Sequence, residues 1–294
     1  MSDRISILKT YKIFIGGKFP RTESGRFYKL KVNNNTIANV CLSSKKDLKN
    51  AVYAARKAFF NWSEASAYNR SQILYRIAEM MEGRKAQFLE DLVLQGIDKQ
   101  LAKKEINISI DRVIYFAGWA DKINQVFGSI NPVASSHFNF SLLEPMGVVG
   151  IISPESPGLL GLVSTLCPVI LSGNTSVVIS SETYPLTSIS LAEVLGNSDV
   201  PNGSVNILTG KKKELIPHLS KHMDVNAIYL NDNEKKYEKA IKIDAADNLK
   251  RIILTDSNNW MDNKVENPYI ITNFMETKTT WHPIEKNLSS VKGY

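Results

Sequence analysis

The chain has 294 residues, 43% hydrophobic and 22% charged, without a low-complexity tract, which sets aside a disordered or fibrous protein. Its formal charge of +7 comes from lysines spread along the chain. The longest cationic run, Lys211-Lys212-Lys213, opens a helical pattern and reads as solvated surface, so nucleic-acid binding is not expected.

The first third is mostly helical. Residues 11–28 alternate and turn at Gly16-Gly17, which predicts a β-hairpin. Ser44 stands three residues before Asp47, a capping-box spacing. Leu48, Ala51, Val52, Ala55 and Phe59 then follow at helical intervals. A second helix is predicted from about Arg70 to Leu94, with Ile73, Leu74, Ile77, Met81, Phe88 and Leu92 inward. A third runs from about Leu101 to Ile123 through Val113, Ile114, Phe116 and Ala117.

The period then changes. "GVVGIIS", "NTSVVIS", "SVNILTG", "NAIYL" and "KRIILTD" are short β-branched runs, and helix-like segments 157–172, 185–196, 211–222 and 233–246 lie between them. Strands alternating with helices of this length imply right-handed βαβ crossovers and a parallel sheet. Strands buried on both faces read as continuous apolar runs, as these do. The predicted fold class is therefore α/β, with a Rossmann-like parallel sheet of about five strands behind a helical N-terminal region. After Asp256 the pattern collapses into the polar stretch "SNNWMDNKVENP", one or two extended segments over 269–284, and a loose tail.

Other sites are weak. Cys41 and Cys167 are too few and too far apart for a disulfide framework or a zinc pattern. His218 and His222 could share a helix face toward a metal, yet no third ligand stands near them in sequence, and no metal site is expected. Residues 1–12 have no apolar core of the leader kind, and Leu159 to Leu171 is too short to span a bilayer. A cytoplasmic protein without a membrane partner is expected.

Four stretches carry a resemblance: "YFAGWADKI" (115–123), "EPMGVVGIISP" (144–154), "SGNTSVVISSETYPLT" (172–187) and "VPNGSVNILTG" (200–210). In order and rough spacing they resemble the aldehyde dehydrogenase superfamily over residues 10 to 256, and "FMETKTTWHPI" is similar to its closing strand. That family attacks an aldehyde with a cysteine thiolate, stabilises the oxyanion with an asparagine amide, activates water or the thiol with a glutamate and passes a hydride to a nicotinamide cofactor.

Matched residue by residue, those roles are replaced. The family's Pro-Trp-Asn-Phe-Pro bend has Glu155 at the Trp and Ser156 at the oxyanion-holding Asn. The Lys-Pro-Ser-Glu that holds the adenosine ribose becomes Ile179, Ser180, Ser181 and Glu182. Glu182 could still accept from ribose hydroxyls, or could simply cap the helix starting near Pro185. Glu182 and Ser156 are thus vestigial cofactor-binding candidates. Phe-Thr-Gly-Ser-Thr becomes Tyr229, Leu230, Asn231, Asp232 and Asn233, losing the glycine and gaining an anion where phosphate should sit. The catalytic glutamate's run corresponds to Thr255 through Asn259, with Asp256 one place out of register. The nucleophile's domain should lie between the fifth strand and the closing strand, where only a short loop stands. Cys167 falls within the first crossover helix as a small buried hydrophobe. No catalytic residue is assigned, and no cofactor is expected, with NAD at most weakly bound.

The resemblance also implies an antiparallel arm, in which the closing strand adds to the edge of a neighbouring subunit's catalytic-domain sheet. The chain is then divided into a hairpin and helical part (1–130), an oligomerisation arm (131–146 with 268–286), a Rossmann-like sheet (147–260) and a tail (287–294). An arm without an acceptor domain of its own suggests a pseudoenzyme that docks on a full-length aldehyde dehydrogenase subunit, with a homo-oligomer as the other partner. The alternatives are a stand-alone NAD-binding or ligand-sensing module, and an NAD(P)-dependent oxidoreductase whose chemistry has moved to Asp256 or Cys167.

Overall fold

The computed structural model describes residues 7–231, 235–255 and 259–284. Gly16 and Gly17 do form a two-residue turn with φ of 58° and 76°, and Ile15 and Lys18 exchange two 3.0 Å backbone bonds across it. The flanking residues then pair elsewhere, so the hairpin predicted over 11–28 does not extend. β1 (Thr10–Tyr11) lies parallel to β3 (Asn35–Cys41), and Phe14 bridges to Ile207 far along the chain. The true hairpin joins β2 (Phe27–Val32) to β3 through Asn33 and Asn34, whose φ values of 48° and 65° asparagine tolerates better than most residues.

Helix α1 (Lys45–Ser63) opens with the expected capping box between Ser44 and Asp47. The long second helix is two, α2 (Ala67–Gly83) and α3 (Lys85–Leu94), broken at Arg84. Gly83 is a poor helix former, and the bend brings Arg84 and Gln87 to Glu193 at 3.2 and 3.0 Å. The third is likewise divided into α4 (Lys99–Ala117) and α5 (Ile123–Phe127), with the turn between them packing Trp119 on Phe127.

β4 (Ser129–Asn131) and β5 (His137–Pro145) lead into the central sheet. Its units follow in order: β6 (Val148–Ile152), α6 (Gly158–Leu171), β7 (Thr175–Ile179), α7 (Pro185–Leu195), β8 (Val205–Leu208), α8 (Lys212–Ser220), β9 (Ala227–Asn231), α9 (Lys235–Ala246 among the described residues) and β10 (Arg251–Thr255). The five strands are parallel in the order β10-β9-β6-β7-β8. Alternate residues face opposite layers. Val149, Ile151 and Tyr229 join the core made with α2, α3, α4, α6 and α7, whereas Val148, Ile152 and Leu230 join α1, α8 and α9. The chain order reverses between β6 and β9, and a crevice at the carboxyl ends of strands at such a reversal is where open α/β sheets bind ligands.

Residues 256–274 carry the chain from β10 to β11 (Met275–Pro283), with a 3₁₀ turn at Asn263–Val265 and a short helix, α10 (Tyr269–Thr272), in place of the first extended segment expected there. β11 pairs antiparallel with β5 from Met275↔Pro145 to Pro283↔His137, in a sheet of order β11-β5-β4. Asp232, Asn233, Asp256 and the tail 287–294 lie outside the described residues. No described helix is long and apolar enough to cross a membrane.

Candidate functional site

The bend after β6 projects Glu155 across the crevice, and its carboxylate finds donors on two other segments, the loop before α7 and the start of α8. Lys212 Nζ lies 2.6 Å from its Oε1. The Glu182 and Thr183 amides each donate to Oε2 at 3.0 Å, the Thr183 hydroxyl donates at 2.9 Å, and the Ser181 hydroxyl lies 3.0 Å away. The loop before α7 is thus an anion-holding nest occupied by the chain's own carboxylate. Burial pushes the Glu155 carboxyl up, but the Lys212 ammonium and the Thr183 donors outweigh it and hold it at about 2.

Lys212 is 1% exposed, so the lysine run at 211–213 is not all solvated surface. Its ammonium also donates to the Ser153 carbonyl at 2.6 Å. A cation in the first turn of a helix opposes the helix dipole. That misplacement is offset here by Glu155, and by Glu182, whose carboxylate accepts from the Lys212 amide at 2.7 Å and from Lys211 Nζ at 2.8 Å. Glu182 therefore caps α8, thirty residues on, and not the helix that starts at Pro185; tertiary contact decides its role over sequence proximity. Ser156, the other vestigial candidate, is exposed on the bend, and no hydrogen bond joins it to Glu182 among the described residues.

Glu105, which sequence reasoning did not single out, is 3% exposed and accepts from the Leu159 and Leu160 amides at 2.8 and 3.2 Å. It caps the amino end of α6, a helix with no local side-chain cap. Burial pushes its carboxyl up despite those two donors. The available signal was a glutamate on the inward stripe of α4, in line with Ala102, Ile106 and Ser109.

Cys167 is buried on α6 and burial pushes its thiol up to about 12, so it carries no thiolate at neutral pH. α8 ends at Ser220, which leaves His222 outside the helix and breaks the shared face expected for His218 and His222. Among the described residues, no group of three His, Cys, Asp or Glu side chains could hold a metal ion.

A second buried cation organises the stretch after β10. Arg112 on α4 is fully buried and donates to Glu266 Oε1 at 3.2 Å, Ser164 Oγ at 2.9 Å and the Trp260 carbonyl at 3.2 Å. The Tyr115 hydroxyl adds a 3.0 Å bond to the Glu266 carbonyl. Together they fasten the short connector against α4 and α6.

Strand order, crossovers and the crevice at the reversal define an α/β protein of the dinucleotide-binding architecture. The aldehyde dehydrogenase family model matches residues 26–261, and the chain belongs to that family. It is 31% identical over 261 residues to cytosolic 10-formyltetrahydrofolate dehydrogenase of Mus musculus, covering 85% of this chain and 29% of that protein. It superposes on the NAD+ complex of an aldehyde dehydrogenase from Bacillus cereus with a TM-score of 0.79 and 27% identity, covering 83% of this chain and 50% of that one. A NAD-dependent aldehyde dehydrogenase from Sinorhizobium meliloti gives a TM-score of 0.79 at 27% identity, with 83% and 49% covered. The chain therefore spans half or less of the length of these relatives.

Proposed function

We propose that this chain is a non-catalytic aldehyde dehydrogenase homologue that docks through its arm onto a full-length aldehyde dehydrogenase, as a structural or regulatory subunit. The observation that carries this reading is the passage from β10 to β11. Residues 256–274 are all that joins the fifth sheet strand to the arm, and Arg112 pins part of that stretch to the body of the fold. The resembled family places its nucleophile's domain between those two strands. A connector this short cannot hold a domain of that kind.

The crevice supports the same reading. A dinucleotide would need hydrogen-bond donors and glycine-lined space. The nest before α7 is taken by Glu155, the amino end of α8 by Glu182, and the amino end of α6 by Glu105. Each is a carboxylate standing where a phosphate would meet repulsion. The residues present do not fit NAD, and no step of the family's chemistry is routed through this site.

The arm supplies the docking element. β11 lies at the edge of its sheet, paired only with β5 among the described residues, and Trp281 on it is 57% exposed. An unpaired strand edge invites pairing with another chain. Strand addition to a sheet edge is a recurrent recognition mode. Size-exclusion chromatography of the protein with a full-length aldehyde dehydrogenase from the same cell tests the role. A complex lost on deletion of residues 274–284 is expected; a chain that never co-elutes, or that co-elutes without 274–284, removes the docking role.

A further inference from the structure

Helix α2 carries an outward stripe that the fold does not use. Its buried residues include Leu74, Ile77, Ala78 and Met81, whereas Tyr68, Gln72, Tyr75 and Glu79, spaced four, three and four residues apart, fall on one exposed line. Tyr68 is 68% exposed and Tyr75 42%. Seven residues of helix set the two rings two turns apart, about 10.5 Å along the axis.

This line forms one wall of a groove of about 900 Å³. Asn61 from the last turn of α1, with Asp199 and Pro201 from the loop between α7 and β8, forms the other. Asp199 is held with φ of 59°, a left-handed backbone that aspartate tolerates better than most residues. No residue of the arm or of the Glu155 network lines the groove.

The lining sets the chemistry of a ligand. The side-chain amides of Asn61, Asn69 and Gln72 are exposed and make no hydrogen bond to another described residue. An amide donates and accepts at once, as a hydroxyl does, so the two kinds of group pair well. Arg76 is paired with Glu79 at 2.8 Å, which leaves the Asp199 carboxylate as the excess charge of the groove. That charge disfavours an anion. A protein partner would seat its anchors in desolvated apolar pockets. Two exposed ring faces standing apart, with amides between them, instead match hydroxylated rings repeated along a chain. We propose that the groove binds a linear chain of neutral hexose units, with Tyr68 and Tyr75 stacked on separate sugar rings and Asn61, Gln72 and Asp199 bonding the hydroxyls. This proposal does not depend on the docking role.

The test is isothermal titration of the full chain with maltohexaose, cellohexaose, glucose and the anionic hexagalacturonate. Saturable binding of one neutral hexamer is expected, with glucose about tenfold weaker or worse because it meets one tyrosine at a time. Tyr68→Ala and Tyr75→Ala should each weaken the hexamer about tenfold, the worth of one good aromatic contact. Should Tyr75→Ala disturb the fold, Tyr68→Ala, at a mostly exposed ring, carries the expectation alone. No saturable heat with either neutral hexamer, glucose bound as tightly as the hexamers, unchanged affinity in the tyrosine variants, or preference for hexagalacturonate would overturn the assignment. So would a protein captured through Tyr68 and Tyr75 that neither hexamer displaces.

Discussion

At the residue scale, the crevice is governed by Glu155 and Lys212, whose 2.6 Å pairing joins the first crossover to the third. The folded-state Glu155 carboxyl lies near 2, below its unfolded value. Its stabilisation is therefore fully present above about pH 4.5 and is lost as the pH falls from there toward 2. Glu155→Gln is expected to flatten this acid limb in urea titrations at stepped pH. A variant that keeps the full wild-type limb would show that other carboxylates produce it. Lys212→Met should cost more, about 3 kcal/mol by denaturant midpoint, because it leaves a half-buried carboxylate without its cation. Arg112→Lys keeps the charge but loses the planar fork that serves Glu266, Ser164 and Trp260 at once. A loss of about 2 kcal/mol, with faster proteolysis between 259 and 267, is the expected outcome. Unchanged cleavage would mean that Arg112 does not anchor the connector.

At the element scale, Asn174 shows how the arm is fixed to the sheet. Its side chain accepts from the Gly147 amide at 2.8 Å and donates to the Phe274 carbonyl at 2.7 Å and the Ser172 hydroxyl at 2.8 Å. The three bonds tie the entry to β6, the end of α6 and the start of β11. Asn174→Ala should destabilise by about 3 kcal/mol, since it strands two buried backbone groups, and should raise amide exchange at the start of β11. Sheet strands were legible because each is buried on both faces and must read as a continuous apolar run, as "VVGII" and "TSVVI" do. Pairing partners were not. Gly16-Gly17 signals its turn correctly, but Phe14 leaves that turn to join Ile207, a choice made by tertiary packing. The breaks at Arg84 and Gly118 were hidden because the apolar period continues across them. The residues that depart from the resembled family's motifs, Glu155 and Ser156 among them, could be read one by one. What Glu155 does could not, because its partners Thr183 and Lys212 come from other crossovers and Lys212 sits inside a run that looks like ordinary surface.

At the scale of the whole molecule, the fold is retained from the family while its crevice closes on itself and its arm stays open. A crevice whose amide donors already hold carboxylates should bind NAD no more tightly than millimolar. Isothermal titration of the full chain is expected to show no saturable heat at lower concentrations. Micromolar NAD binding would mean that Glu155 swings out of its nest, and would favour a cofactor-sensing module. Native mass spectrometry of the purified chain mixed with a full-length aldehyde dehydrogenase from its own cell is the most direct test of docking. A complex of fixed stoichiometry that disappears when residues 274–284 are removed is expected. A spectrum holding only this chain's own monomer or homo-oligomer beside the intact enzyme would contradict it.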